Sequence, residues 1–168
     1  KLPPPLLRMA HHLQVLVSLP IDLWSQCELT CNVKQGDTVI DAPRAKAKLL
    51  AEWLINQLGL QQGLSIRQRF ESNIPTGKGL SSSTADLLAV IRAFESEFTF
   101  KLSQETISES LIEVEQHDPL HDQHRVAYDH RKGKLLKNFN YVPDYQIIGI
   151  DQGGTFSTQA YNNELSYD

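Results

Sequence analysis

Residues 75–86 read Pro-Thr-Gly-Lys-Gly-Leu-Ser-Ser-Ser-Thr-Ala-Asp. This cluster of glycines and hydroxyls lies between a predicted strand and a predicted helix. Before it, residues 65–72 alternate their side chains at the period of a β-strand. After it, residues 87–98 repeat apolar side chains near helical spacing. The sequence therefore predicts a strand, a glycine-rich loop and a helix that begins inside the serine run.

A loop of this kind is typical of a phosphate-binding site. The start of a helix exposes unpaired backbone N–H groups and the positive end of the helix dipole, and glycines let the backbone approach a ligand closely. The four successive hydroxyls can cap the helix, bind phosphate oxygens or help to hold Mg²⁺, which prefers oxygen ligands. An ordinary Gly/Ser-rich loop with an N-cap is the structural alternative. The Walker pattern Gly-x-x-x-x-Gly-Lys-[Ser/Thr] does not occur.

The order Pro-x-x-x-Gly-Leu-Ser-Ser-Ser resembles the phosphate-binding motif of the GHMP kinases, the superfamily of galactokinase, homoserine kinase and mevalonate kinase. Residues 72–86 are most similar to the L-threonine kinases of cobalamin side-chain synthesis, in which Ile-Pro, Lys-Gly and Ser-Ser-Thr-Ala-Asp recur together. Residues 16–22 resemble an early strand of that family, and Glu115-Gln116-His117-Asp118 matches its Glu-x-x-Asp. The resemblance extends over about Leu16 to Tyr161.

The resemblance implies an ATP-dependent kinase that phosphorylates a small hydroxylated metabolite, with L-threonine as the favoured acceptor and O-phospho-L-threonine and ADP as products. Phosphoryl transfer depends mainly on positioning and charge neutralisation. By analogy, Mg²⁺ would be held by Ser82 or Ser83 with Glu115, Asp118 would orient or deprotonate the acceptor, and Lys78 would neutralise charge. The implied ATP-binding residues are Pro75, Gly77, Lys78, Gly79, Leu80, Ser81, Ser82, Ser83 and Thr84.

Both acidic candidates also have structural interpretations. Glu115 ends a predicted helix over residues 104–115, where a carboxylate is mildly unfavourable unless it meets a cation, but solvated glutamates on helices are common. Asp118 precedes Pro119 and could cap a helix that begins there.

Three histidines next to these residues suggest a competing site. His117, His121 and His124 stand four and three residues apart and would share one face of a helix beginning at Pro119. Such imidazoles can bind Zn²⁺, which would favour a metal-dependent hydrolase. Incidental surface histidines are the favoured interpretation.

Length, composition and charge narrow the class of protein. The chain has 168 residues with 40% apolar side chains, enough for one domain with a modest core. Its net charge of −4 disfavours nucleic acid and anionic membranes as partners. No apolar run approaches the roughly 20 residues of a membrane span, so we expect a cytoplasmic protein. Cys27 and Cys31 are expected to be free, buried thiols because their spacing in a strand does not suit a relaxed disulfide.

The predicted elements interleave strands and helices, which favours an α/β two-layer sandwich. The resemblance implies the ribosomal protein S5 domain 2-like fold of the superfamily's N-terminal domain. A hairpin is expected at residues 131–134. Strands are predicted at 14–19, 26–33, 64–72, 125–130, 135–139 and 146–151, and helices at 43–58, 82–98 and 104–115.

The expected domain organisation follows the resemblance. Residues 1–13 are an atypical tail where the family carries a Gly- and Glu-rich motif. Residues 14–168 correspond to the N-terminal, ATP-binding domain, and we expect the C-terminal domain to be absent from this chain. A catalytically silent domain that binds a nucleotide or a partner protein is therefore the alternative function. A homodimer could supply missing elements in trans.

Overall fold

Strands and helices alternate along the chain in the computed structural model, which describes residues 15–17, 21–115, 125–129, 134–139, 146, 148–151 and 153–155. This alternation confirms the expected α/β class. The elements are β1 (Val15–Val17), β2 (Ser25–Asp37), β3 (Val39–Asp41), α1 (Ala45–Leu58), β4 (Gln62–Ser72), α2 (Ser82–Glu97), α3 (Gln104–Ile112), β5 (Arg125–Asp129) and β6 (Lys134–Phe139).

The sheet that carries the core has the strand order β2-β4-β3. β2 and β4 are antiparallel, with Ser25 opposite Ser72 at the end nearest the glycine-rich loop. β3 pairs with the other side of β4 in parallel, with Ile40 opposite Ile66. Because parallel neighbours need a crossover connection, α1 lies between β3 and β4 in the chain and packs over the sheet.

A second sheet has the order β1-β5-β6, and both of its strand pairs are antiparallel. Arg125 lies opposite Phe139 and Asp129 opposite Lys134, so the expected hairpin pairing of β5 with β6 is confirmed. The strand predicted over residues 146–151 is wrong, because Gln146 and residues 148–151 lie outside any strand. Ile148 and Ile150 suggest a strand by their alternation, but both are more than three-quarters exposed and bury no face.

Three helices cover one face of the β2-β4-β3 sheet and form the core with it. α1 ends at Gly59, whose φ of 68° is the left-handed conformation that the sequence anticipates at a helix end. The helix predicted to reach residue 115 ends at Ile112. The fully or nearly fully buried core residues are Ala47, Leu50, Ala51, Leu54, Ile55, Ile66, Leu87, Val90, Ile91, Phe94, Ile107 and Leu111.

The two cysteines lie on β2 and, as expected, are free thiols. Their side chains are partly rather than fully buried, and they face the same side of the strand as Leu29. Burial raises the pKa of the Cys27 thiol to about 11, which keeps it protonated and chemically inert at neutral pH. Among the helices of the described ranges, none is long and apolar enough to cross a lipid bilayer.

A buried carboxylate fixes the turn between α2 and α3. Glu95 is fully buried, accepts a hydrogen bond from the backbone N–H of Leu102 at 2.8 Å and pairs with Arg92 at 2.6 Å and Lys101 at 3.1 Å. Burial alone would raise the pKa of Glu95, but these three donors outweigh it and hold the pKa below its ordinary value. The ionised form therefore stabilises the fold.

We expect Glu95→Gln to lower the free energy of unfolding by about 1–3 kcal/mol at pH 7. Because the folded pKa is depressed, the contribution of Glu95 is complete above the unfolded glutamate pKa of about 4.3 and is lost as the pH falls through the folded value. The difference between variant and wild type should therefore shrink between pH 7 and about pH 3 in urea unfolding. The exposed Glu97→Gln is the control, and a difference independent of pH would contradict this role of Glu95.

Candidate functional site

The phosphate loop, residues 75–81, connects β4 to α2. Its backbone has positive φ at Gly77, Gly79 and Ser81, of 71°, 70° and 54°, with negative φ at the residues between them. This alternation is typical of concavities in which successive backbone N–H groups bind an anion. A Cβ placed on Gly79 would meet no atom within 4 Å, so the loop is open at this point.

The helix α2 begins at Ser82, within the serine run, as the sequence predicts. Ser81 is its N-cap residue, but the side chain makes no capping hydrogen bond. Thr84 is buried in the first turn, which places it on the core side of the helix. The structural alternative of an ordinary serine cap therefore does not describe this loop.

A cluster of three side chains lies at the start of α2. The hydroxyl of Ser83 donates a hydrogen bond to Oε2 of Glu115 at 3.0 Å. Nζ of Lys46, in the first turn of α1, forms an ion pair with the same oxygen and lies 3.5 Å from Oγ of Ser83. The contact between Ser83 and Glu115 is the one on which the predicted metal site depends.

One oxygen of this cluster has no protein partner among the described residues. Only 11% of the Glu115 side chain is exposed, and its Oε1 is buried without a hydrogen-bond partner in the part of the chain that the structure describes. A buried acceptor left unpaired costs about 1–3 kcal/mol, more when charged. The carboxylate is therefore arranged to accept a further cation or donor, and with the Ser83 hydroxyl it offers the oxygen ligands that Mg²⁺ prefers.

Lys46 belongs to this cluster but was not predicted from the sequence. Lys46 and Arg44 place two positive charges at the start of α1, where the helix dipole disfavours cations. This unfavourable placement could have indicated from the sequence that both residues have acidic partners, because a positive charge at a helix start is stabilised when it pairs with a carboxylate. The partners are Glu115 for Lys46 and Asp86 for Arg44.

A second polar cluster fixes the first turns of α2. Asp86, at the end of the serine-rich motif, accepts a 2.5 Å hydrogen bond from the hydroxyl of Ser25 and forms an ion pair with Arg44. The Arg44 guanidinium lies 4.3 Å from the centre of the Phe70 ring, a cation–π arrangement. Asp86 thus connects the first turns of α2 to β2 and to the start of α1.

We expect Asp86→Asn to lower the free energy of unfolding by about 1–3 kcal/mol, because a partly buried carboxylate loses its charge beside Arg44 and Ser25. The matched control is Asp41→Asn, which removes the carboxylate from an exposed pair with Arg67 and should change stability by less than about 0.5 kcal/mol. Urea unfolding of both variants measures the difference. Equal stabilities would contradict an anchoring role for Asp86.

Lys78 has partners outside the phosphate loop. Its Nζ donates to Oδ1 of Asp151 at 2.7 Å and to the carbonyl of Gly154 at 2.8 Å, and the N–H of Gly153 donates to the same Asp151 oxygen at 2.8 Å. The bond from Lys78, and then that from Gly153, lower the pKa of Asp151. The ammonium of Lys78 therefore has a carboxylate partner in this structure, and its neutralising role toward phosphate stays a prediction.

These contacts border an open cleft of about 540 Å³ between the phosphate loop and residues 149–151 and 153–155. Pro75, Gly77, Lys78 and Leu80, all predicted site residues, line one wall. The sequence anticipates no more than a turn at Gly153 and Gly154, and does not predict that Asp151 reaches the loop.

Some predicted residues fall outside the described ranges. These are Asp118, the candidate base, and His117, His121 and His124, the candidate metal ligands of the hydrolase alternative. Within the described ranges, no three His, Cys, Asp or Glu side chains cluster so that they could hold a metal.

The chain is similar in sequence to known kinases. The model of the GHMP kinases N terminal domain matches residues 45–128. The chain is 25% identical over 150 residues to the L-threonine kinase of Citrobacter freundii, which covers 88% of this chain and 50% of that protein. It is also 25% identical over 150 residues to the L-threonine kinase of Salmonella typhimurium, covering 88% of this chain and 48% of that protein.

A solved structure shares the fold. The crystal structure of L. major mevalonate kinase in complex with R-mevalonate superposes with a TM-score of 0.50 at 16% identity, over 75% of this chain and 45% of that chain. The chain thus spans about half the length of the curated relatives that it matches.

Proposed function

Because this chain belongs to the GHMP kinases, we propose that it binds ATP with Mg²⁺ at the phosphate loop and the first turn of α2, and that it serves in phosphorylating the hydroxyl of L-threonine. The observation that carries the proposal is the contact between Ser83 and Glu115, which joins a hydroxyl of the loop motif to a carboxylate. The other oxygen of that carboxylate is buried and has no partner among the described residues. The two relatives that are L-threonine kinases support this choice of acceptor.

The phosphate loop would hold the triphosphate through its backbone. Gly77, Gly79 and Ser81 give the loop its alternating conformation, and the start of α2 adds the positive end of the helix dipole. These interactions need no particular side chain. Their strength depends on the absence of a Cβ at the glycines.

The residues at the start of α2 fit a hard divalent cation. Oγ of Ser83 and the carboxylate of Glu115 would hold Mg²⁺, which would neutralise charge on the phosphates during transfer. Lys46 pairs with Glu115, so it keeps the carboxylate facing Ser83 and adds a positive charge to the same region. The ion pair between Asp86 and Arg44 holds the start of α2 against the start of α1.

The proposed reaction transfers one phosphoryl group. The threonine hydroxyl oxygen forms a bond to the γ-phosphorus of ATP while the bond from that phosphorus to the β–γ bridging oxygen breaks, which releases ADP. The hydroxyl proton passes to a base, for which Asp118 is the candidate on resemblance. Positioning and charge neutralisation supply most of the catalysis in such a reaction.

Calorimetric titration of the chain with ATP tests the proposal. We expect ATP to bind more tightly with Mg²⁺ than without it. In a parallel titration, we expect L-threonine to bind as well. Equal affinity with and without Mg²⁺ would contradict the metal site, and no ATP binding under either condition would overturn the proposal. Binding of ATP without any transfer to L-threonine would identify the silent, nucleotide-binding alternative.

A further inference from the structure

The cleft beside the phosphate loop has the dimensions of a site for a small metabolite. Its volume of about 540 Å³ lies in the usual range for small-molecule pockets. Gly77 and Lys78 belong both to the cleft wall and to the phosphate loop. A molecule bound in the cleft therefore lies against the same loop as the phosphates.

One ion pair, that of Lys78 with Asp151, lines the cleft, and each member also has a backbone partner. An ammonium, that of Lys78, is held by the Asp151 carboxylate and the Gly154 carbonyl, both within 2.8 Å. A carboxylate, that of Asp151, is held by Lys78 and the N–H of Gly153, also within 2.8 Å. The cleft thus presents acceptors suited to an ammonium group and donors suited to a carboxylate.

These charges distinguish between classes of ligand. A ligand with only negative charge, such as a free phosphate, would meet the Asp151 carboxylate beside Lys78. A neutral alcohol could hydrogen-bond to either group but would not neutralise the charge of either one. An α-amino acid carries one ammonium and one carboxylate on adjacent atoms, so it can satisfy both partners together.

We propose that this cleft binds the ammonium and carboxylate groups of a hydroxylated α-amino acid, with Asp151 and the Gly154 carbonyl accepting from the ammonium and Lys78 pairing with the carboxylate. The proposal rests on the proposed kinase function, whose acceptor it locates. The Asp151 side chain is 63% exposed, and an ion pair so exposed contributes little stability. Lys78 and Asp151 can therefore separate and pair with the charged groups of the ligand instead.

The test titrates wild type and Asp151→Asn with two probes, L-threonine and (R)-3-hydroxybutyrate, in the presence of Mg²⁺ and a non-hydrolysable ATP analogue. The second probe keeps the hydroxyl and the carboxylate but lacks the ammonium. We expect Asp151→Asn to weaken L-threonine binding about ten- to a hundredfold, because a hydrogen bond to a charged group is lost. The affinity for (R)-3-hydroxybutyrate should stay the same or increase, because Lys78 then lacks its carboxylate partner.

Asp41→Asn is the matched control, since it makes the same replacement in an exposed ion pair whose members do not line the cleft. It should leave both affinities unchanged. Equal L-threonine affinity in Asp151→Asn and wild type would overturn the amino-acid site, as would a wild type that binds the nucleotide but not L-threonine. Either result leaves the nucleotide site standing, whereas failure of wild type to bind the nucleotide overturns the proposed function itself.

Discussion

Replacing Gly79 by alanine is expected to weaken MgATP binding at least about tenfold. The φ of 70° at Gly79 suits glycine, and the space that a Cβ would enter contains no protein atom within 4 Å. That space is where a phosphate would approach the backbone, so the added methyl group would hold the phosphate away from the N–H groups. Calorimetric titration with MgATP measures the loss.

Gly59→Ala is a close control for this variant. Gly59 has a φ of 68°, and a Cβ there also meets nothing within 4 Å, but it ends α1 away from the phosphate loop. Both alanines should lower the free energy of unfolding by about 1–2 kcal/mol, because both adopt a left-handed conformation. Only Gly79→Ala should lose nucleotide affinity. Equal affinities in the two variants would show that the phosphate loop is not part of the nucleotide-binding site.

Replacing Glu115 by glutamine is expected to abolish most of the Mg²⁺-dependent part of ATP affinity, a loss of about ten- to a hundredfold. The amide keeps the size of the side chain but removes the negative charge beside Ser83. Without Mg²⁺, the affinity should stay the same or increase, because Lys46 then lacks its carboxylate partner and can attract the phosphates. The opposite signs of the two effects separate a metal ligand from a general contact.

Glu113→Gln is the control, since Glu113 is exposed at the end of α3 and lies two residues from Glu115. It should leave affinity unchanged under both conditions. Titrations with and without Mg²⁺ at matched ionic strength measure both variants. Persistence of the full Mg²⁺ dependence in Glu115→Gln would assign the metal to other residues.

The sequence predicts those features that depend on neighbours along the chain. The phosphate loop, the start of α2 at Ser82 and the end of α1 at Gly59 all follow from glycines, hydroxyls and apolar spacing within a few residues. β3 was missed because Val39–Asp41 is too short to show a period, and it exists through its pairing with β4. The wrongly predicted strand at residues 146–151 has the alternation of a strand but pairs with none in the described residues.

The site itself was predictable only in part. Glu115 was proposed through the family resemblance, because its contact with Ser83 depends on how α3 packs against α2. Lys46 escaped prediction for the same reason, since its partner Glu115 lies 69 residues away. Asp151 reaches Lys78 from 73 residues away. Contacts at such separations are set by tertiary packing rather than by local pattern.

The cluster of Lys46, Ser83 and Glu115 comes from three segments of the chain, which has a thermodynamic consequence. Lys46, Ser83 and Glu115 are 32 to 69 residues apart, at the starts of α1 and α2 and just after α3. No single segment contains the cluster, so it forms only when all three helices have packed. A ligand bound there stabilises the whole fold against unfolding, by an amount that grows with the logarithm of its concentration. Occupancy of this site would therefore be linked to the stability of the whole fold.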